Sequence, residues 1–234
     1  MYANCLKRFF DFMLALFAVL LLSPIFLILM LIGAIAMKGN PFFVQYRPGK
    51  ISRRTGKEKI FKLIKFRTMS NAKDKEGNLL PDDVRLNGYG KFLRSTSLDE
   101  LPEIFNILAG HMAIVGPRPQ LVRDMVFMTD AQRKRHSVRP GLTGFAQVNG
   151  RNNITWEQKF EYDLTYINSG IGFFKDIGIL LKTVLKVLKR SDTVREGTVS
   201  DMDFGDWLLQ EGKISEAEYT AGQREAKMLL EECK

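Results

Sequence analysis

From Phe12 to Met37 the chain runs for 26 residues without a charged side chain. As a helix, a run of that length is about 39 Å long, against roughly 30 Å for the hydrocarbon core of a bilayer. A cleaved signal peptide does not fit, because the run exceeds an h-region and no small-residue cleavage site follows it. Two details qualify a simple span. Ser23-Pro24 falls in the middle, where proline removes a backbone donor and disfavours helix at the residue before it. Both flanks are also basic, with Lys7 and Arg8 before and Lys38, Arg47, Lys50, Arg53 and Arg54 after, so the asymmetry that orients a spanning helix is missing. A helix–break–helix hairpin that enters and leaves by one face satisfies both details. Its arms would have 11 to 13 residues, each too short to cross alone. A kinked spanning helix is the alternative. Asp11 sits at the boundary, within reach of Lys7 or Arg8.

Charge is as unevenly spread as hydrophobicity. The 234 residues carry a net +9. Residues 201–234 hold nine acids and four bases, net −5, which leaves +14 on residues 1–200. A basic body beside an apolar anchor suits an anionic surface or substrate: lipid headgroups, nucleotide phosphates or nucleic acid. The two cysteines, Cys5 and Cys233, lie at opposite ends with no CxxC or Cys/His spacing, so neither a disulfide framework nor a structural zinc site is supported. No P-loop and no GxGxxG is present.

The remaining chain reads as a mixed, helix-rich α/β protein. Residues 42–46 and 60–67 are short segments rich in aromatic and β-branched residues, joined by a polar, basic stretch; they predict a strand pair. Residues 112–115 predict another short strand, and residues 120–135 predict helix. Residues 155–168 suit an amphipathic helix with Trp156, Phe160, Leu164 and Ile167 on one side. In 171–190, Phe173, Phe174, Ile177, Leu180, Leu181, Val184 and Leu188 recur at helical spacing, with Lys175, Lys182, Lys186 and Lys189 opposite. A basic amphipathic helix of this kind lies in a membrane interface or covers a core; the apolar anchor favours the interface.

Asp99-Glu100 is the most chemically pointed dipeptide. It opens a helical pattern that ends at Gly110. Ser97 and Glu100 have capping-box spacing; alternatively Asp99 is the N-cap and Pro102 lies in the first turn. Carboxylates at a helix start stay ionised and share the position with an incoming phosphate. A carboxylate can attack phosphorus when cations and a metal neutralise the phosphate oxygens, with its neighbour as metal ligand. Plain capping is the competing reading. In Gly116-Pro117-Arg118-Pro119 two prolines fix a turn that presents one guanidinium, which suits phosphate. Arg139-Pro140-Gly141 and Gly150-Arg151-Asn152 repeat the pattern, and Lys65, Arg67 and Arg94 can add to one polyphosphate pocket. His111 and His136 have no Ser or Cys partner nearby, so both read as structural.

These residues together resemble the bacterial monotopic phosphoglycosyl transferases (bacterial sugar transferases), in the small, PglC-type form. The resemblance rests on Lys7-Arg8, Ser23-Pro24, KFRTM at 65–69, RSTSLDELPEIFNIL at 94–108, GPRP at 116–119, RPGLTGFAQVNGRN at 139–152 and KFEYD at 159–163, and covers residues 1–200. It implies that a UDP-sugar is attacked at its β-phosphate by an aspartate, releasing UMP, and that polyprenyl phosphate then takes the phosphosugar. Asp99 matches the nucleophile and Glu100 the neighbour associated with Mg2+. Arg118 matches a phosphate-binding arginine, and Lys7 and Arg8 a basic pair near the polyprenyl phosphate. Ser23-Pro24 matches the break of a re-entrant anchor over residues 1–38, which places the protein on the cytoplasmic face of the inner membrane. Arg94, Arg151 and Asp163 lie in family motifs as active-site supports, and Lys65, in the KFRTM stretch, joins them in the substrate-binding set. Residues 39–200 would form the catalytic domain. The acidic tail, 201–234, resembles a short helical SHOCT-type module, docked on the basic body or open to a protein partner. A membrane-anchored scaffold or nucleic-acid binder is the alternative function, but no basic motif interleaved with aromatics supports nucleic acid.

Overall fold

The charge-free run folds as one helix, α1 (Lys7–Ala36), which follows a π-helical turn over Tyr2–Leu6. The computed structural model describes residues 2–150, 154–189 and 202–233. The two separate arms expected from Ser23-Pro24 are not what is observed, because Pro24 lies inside the helix. The local chemistry explains this. Proline offers no N–H to the carbonyl of Leu20, and the Ser23 hydroxyl donates to that carbonyl instead, at 2.9 Å. An apolar surrounding favours this repair, since each backbone group there needs an internal partner.

One stripe of α1 packs on the rest of the protein along its whole length. Ala15 is buried with Phe61, Leu63, Ile104 and Ile107, and Ala18 and Val19 pack against them. Further along, Leu29 is buried with Phe66 and Leu93, and Phe26 stacks into the same cluster. At Gly33 the helix comes so close that a Cβ would lie 2.7 Å from the Tyr89 hydroxyl. The opposite stripe is bare: Phe17, Leu20, Leu21, Leu31 and Ile35 are all exposed.

The predicted strand pair forms. β1 (Phe42–Ile51) and β2 (Glu58–Phe66) are antiparallel, with Phe42 opposite Phe66 and Pro48 opposite Ile60, and the register slips between Pro48 and Ile51. The proline accounts for the irregularity, since it cannot donate to the ladder. Short helices α2 (Asp82–Arg85) and α3 (Gly88–Thr96), a 3-10 turn (Leu98–Glu100) and α4 (Glu103–Leu108) follow. β3 (Ala113–Val115) then pairs in parallel with β4 (Gly141–Thr143). A Cβ on Gly141 would lie 2.1 Å from the Gly116 amide nitrogen, so only glycine lets these two turns touch.

The helix expected over 120–135 is broken into α5 (Val122–Met125), α6 (Asp130–Arg133) and a 3-10 turn (Lys134–Ser137). Thr129 starts α6 with a capping box that the hydrophobic pattern alone does not reveal. After α7 (Phe145–Asn149), the two amphipathic segments form α8 (Trp156–Asn168) and α9 (Phe173–Lys189). α9 buries little beyond Asp176 and Ile179 and leaves Phe174 and Leu188 bare. The tail forms α10 (Phe204–Gln210) and α11 (Glu216–Glu232), both packed on the body.

Candidate active site

Asp99 and Glu100 sit in the 3-10 turn between α3 and α4. α3 ends at Ser97 in left-handed conformation (φ 57°), and the chain turns sharply there. Neither capping arrangement expected from the sequence forms: Pro102, not Asp99, immediately precedes α4, and Ser97 makes no cap bond to the turn. The carboxylates have other partners. Glu100 Oε1 accepts from Arg118 at 2.5 Å and from Lys65 at 3.1 Å. Lys65 also lies 3.0 Å from Glu103 Oε1, an ion pair off hydrogen-bond angle. Glu103 is only 1% exposed.

Asn106 sets this register. Its side chain accepts from the Ile64 amide at 3.1 Å and donates to the Lys62 carbonyl at 2.7 Å, which pins α4 to β2 beside Lys65. Arg118 leaves β3 on its rigid Gly-Pro-Arg-Pro turn. Below it, Arg135 donates to the Arg118 carbonyl at 2.7 Å and to Asp163 Oδ2 at 2.5 and 3.0 Å. Asp163 is therefore a support for the Arg118 turn, acting through Arg135, which is 1% exposed.

Electrostatics divide the two adjacent acids. Burial raises the pKa of Asp99, and the neighbouring Glu100 charge raises it further, against Lys65 and Arg118. Burial would raise Glu100 too, but Arg118 and Lys65 overcome it and hold that carboxyl well below the ordinary range. The Glu100 charge in turn raises Arg118. Lys65 is pulled up by Glu100 and Glu103 against its own burial. Glu100 is thus locked as a counter-ion, while Asp99, raised by burial and by the Glu100 charge, is the more basic and more nucleophilic carboxylate of the pair.

The pair opens on a cleft of about 1330 Å³ that is also lined by Arg47, Lys65, Arg94, Arg118 and Asp163. Arg94 donates from Nε to Thr68 at 3.1 Å. Arg47 was not singled out by the sequence as a site residue. It bonds Pro119 O at 3.2 Å and Gln45 Oε1 at 2.7 Å, and its Nε is buried without a hydrogen-bond partner. Burial and the nearby Arg118 lower its pKa to about 10, so it still carries its charge at neutral pH. Arg151 lies outside the described residues.

Lys7 and Arg8 are not brought to this cleft. Lys7 pairs with Asp176 at 2.6 Å and faces Asp11 at 3.8 Å. Arg8 donates to the carbonyls of Ile107 and Leu108 at 2.6 and 2.9 Å. Both line a second, smaller cavity of about 360 Å³ with Lys50, Arg53 and Arg139. The histidines are structural: His111 stacks on Phe61 and His136 meets Glu58 at 3.1 Å.

Among the described residues no three acid, histidine or cysteine side chains gather as a metal cage. Two adjacent carboxylates facing a cationic cleft are nonetheless the donor set that suits Mg2+, which keeps several waters and completes its shell with substrate phosphate.

The model of the family described as bacterial sugar transferase matches residues 2–190. The chain is 48% identical to the uncharacterized sugar transferase EpsL of Bacillus subtilis (strain 168), over 78% of this chain and 87% of that one. It is 38% identical to the UDP-glucose:undecaprenyl-phosphate glucose-1-phosphate transferase of Klebsiella pneumoniae, over 77% of this chain but 39% of that one. It is 33% identical to the exopolysaccharide production protein ExoY of Sinorhizobium fredii (strain NBRC 101917 / NGR234), over 76% of this chain and 83% of that one. The turn that carries Asp99-Glu100, the Arg118 loop and α1 all fall inside the matched residues, and the chain belongs to the bacterial sugar transferase family.

Proposed function

We propose that the protein transfers a sugar 1-phosphate from a UDP-sugar to polyprenyl phosphate, with Asp99 as nucleophile. The observation that carries this reading is the division of the acid pair: Glu100 is neutralised by Arg118 and Lys65, and Asp99 faces the cationic cleft beside it. In the first step an Asp99 oxygen bonds to the β-phosphorus of the donor. The bond from that phosphorus to the bridging oxygen breaks, and UMP leaves with the electron pair. In the second step an oxygen of polyprenyl phosphate bonds to the same phosphorus and Asp99 is released. Arg118 and Arg47 are placed to hold phosphate oxygens, and Lys65 keeps Glu100 and Glu103 from repelling them. Asp99 and Glu100 would hold Mg2+, which when bound neutralises phosphate oxygens during attack.

The membrane arrangement belongs to the same proposal. α1 is long and apolar enough to cross a bilayer. Yet one stripe of it touches the body from Asp11 to Gly33. A helix that crosses the bilayer away from its domain would leave half its length free of such contacts. This packing supports a monotopic anchor that stays on the cytoplasmic face, with the bare stripe of α1 and the bare face of α9 toward lipid.

Incubation of wild-type protein with a panel of UDP-sugars should release UMP, and intact-mass measurement should show a phosphosugar adduct. Asp99→Asn should lose both. Normal UMP release by Asp99→Asn would refute the nucleophile.

A further inference from the structure

The C-terminal appendage lies beyond the residues matched to the family, yet it closes one side of the catalytic cleft. Met202, Asp203 and Asp206 line the same cavity as Asp99, Glu100 and Arg118. Its seat is specific. Phe204 is 2% exposed and packs with Met128, Trp156 and Phe160. The Phe204 amide donates to Asp124 Oδ1 at 2.8 Å, and the other oxygen of that buried carboxylate accepts from the Leu121 amide at 2.9 Å. The Trp156 indole donates to the Met202 carbonyl at 3.3 Å, and the Tyr46 hydroxyl to the Cys233 carbonyl at 3.0 Å. The Phe127 ring is pressed against Gly205 and Gly222, where any Cβ would collide with it, and Tyr219 stacks on its face.

Among its described residues the appendage brings carboxylates, not cations, to a cleft that Arg94 and Arg118 line elsewhere. Among the described residues Asp203 pairs with Arg123, and Asp206 accepts from the Tyr219 hydroxyl at 2.5 Å. A carboxylate can accept about four hydrogen bonds. The diphosphate belongs with Arg118, whose partly exposed guanidinium lines the same cleft. Beside a bound diphosphate, two fixed carboxylates repel more phosphate and suit hydroxyl groups. We propose that this appendage is a specificity wall of the donor site, whose Asp203 and Asp206 accept hydrogen bonds from a vicinal diol of the nucleotide sugar. That diol is either on the glycosyl ring or on the ribose. The proposal rests on the donor reading above.

The test uses the full chain and two variants. Asp206→Asn keeps the shape and removes the charge. Gly222→Leu drives a side chain into Phe127 and lifts the appendage off without touching the cleft. KM and kcat for UMP release are measured across a UDP-sugar panel, with inhibition by added UMP. Loss of a charge-assisted hydrogen bond predicts a KM rise of about tenfold or more, with kcat little changed. If the diol is glycosyl, the rise falls on the preferred donor and UMP inhibition is unchanged. If it is ribose, KM rises for every donor and UMP inhibition weakens in step. Unchanged KM and unchanged UMP inhibition in Asp206→Asn, with the wild type active, overturn the proposal even if Gly222→Leu fails to fold. A wild type that releases UMP from no UDP-sugar refutes the transferase reading first, and this inference falls with it.

Discussion

Lys65→Met should make stability strongly pH-dependent. Lys65 lies 3.0 Å from Glu103 and 3.1 Å from Glu100. Glu100 keeps Arg118 when the lysine is gone, but Glu103 loses its ion pair while only 1% exposed. Burial already raises Glu103, and Lys65 opposes that rise, so its removal pushes the carboxyl higher still. The folded state then escapes the buried charge by taking a proton. Protonation costs about 1.4 kcal/mol for each pH unit above the ordinary glutamate value of about 4.3. The penalty is therefore capped at about 3.7 kcal/mol at pH 7 and about 1 kcal/mol at pH 5. A raised carboxyl favours the fold below its unfolded pKa and weakens it as pH rises, so the loss must grow toward neutrality. Against a total stability of about 5–15 kcal/mol, the pH 7 figure is large. Urea unfolding in detergent, followed by the fluorescence of Trp156 and Trp207 at both pH values, measures it. Lys65→Met/Glu103→Gln should restore most of the stability but not the activity, because Asp99 still lacks the Lys65 charge, which opposes its rise. Equal destabilisation at pH 5 and pH 7 would refute the reasoning.

Lys65→Met should also shift the acid limb of the kcat/KM profile to higher pH, since Lys65 opposes the rise of Asp99; a limb that stays in place would separate Asp99 from the reacting group. Arg135→Met leaves Asp163 buried without its partner and the Arg118 carbonyl without its donor, so it should cost about 3–5 kcal/mol in the same unfolding assay and lower activity by loosening Arg118. The Glu58 side chain is buried, yet His136 and Arg133 hold it well below the ordinary glutamate range. Its contribution is present above about pH 4.3 and is lost as pH falls, so Glu58→Gln should be less stable at pH 7 and flatter in its loss of stability below pH 4.

The strands and amphipathic helices were legible because period and length decide them. Alternation across 60–67 and the apolar stripe of 155–168 each admit one element type, and both form. Asp99, Glu100, Arg118 and Lys65 were legible as a set because each is a charged residue in a constrained turn or beside one, and the cleft joins them. Ser23-Pro24 does not divide α1 into two helices: the sequence displays the missing proline N–H but not the hydroxyl one residue earlier that serves the same carbonyl. The capping box at Ser97 failed for a different reason: tertiary partners Lys65 and Arg118 claim the Glu100 carboxylate that capping would use. Arg135 sits in a run of bases over 133–135 that looks like solvated surface, and its burial against Asp163 depends on a pairing 28 residues away. Arg47 was counted only as a basic flank of the anchor, and its place in the cleft follows from β1, not from local pattern.

The placement of Lys7 and Arg8 ties the anchor to the chemistry without bringing either residue to it. α4 is six residues long and so rises about 9 Å. At one end stands the turn with Asp99 and Glu100. At the other, the last carbonyls of the helix need donors, and Arg8 supplies two of them while Arg139 binds Gly110 O just beyond at 2.8 Å. The foot of the anchor is thereby bonded to the far end of the element that carries the reactive turn. Lys7 makes a second tie through Asp176, which also accepts from Tyr2 and Tyr166 at 2.9 and 2.7 Å. Asp176 thus joins the start of α1 to α8 and α9, and Phe10 meets Phe173 where the bare faces of α1 and α9 adjoin. On the proposed reaction, a lipid acceptor moves along that apolar surface while a soluble donor enters the cleft. Both must reach one phosphorus, so the height of Asp99 above the surface has to be fixed. A rigid strut capped by Arg8 fixes it. Loss of Arg8 should therefore lower acceptor use through geometry, since its guanidinium donates to the Ile107 and Leu108 carbonyls.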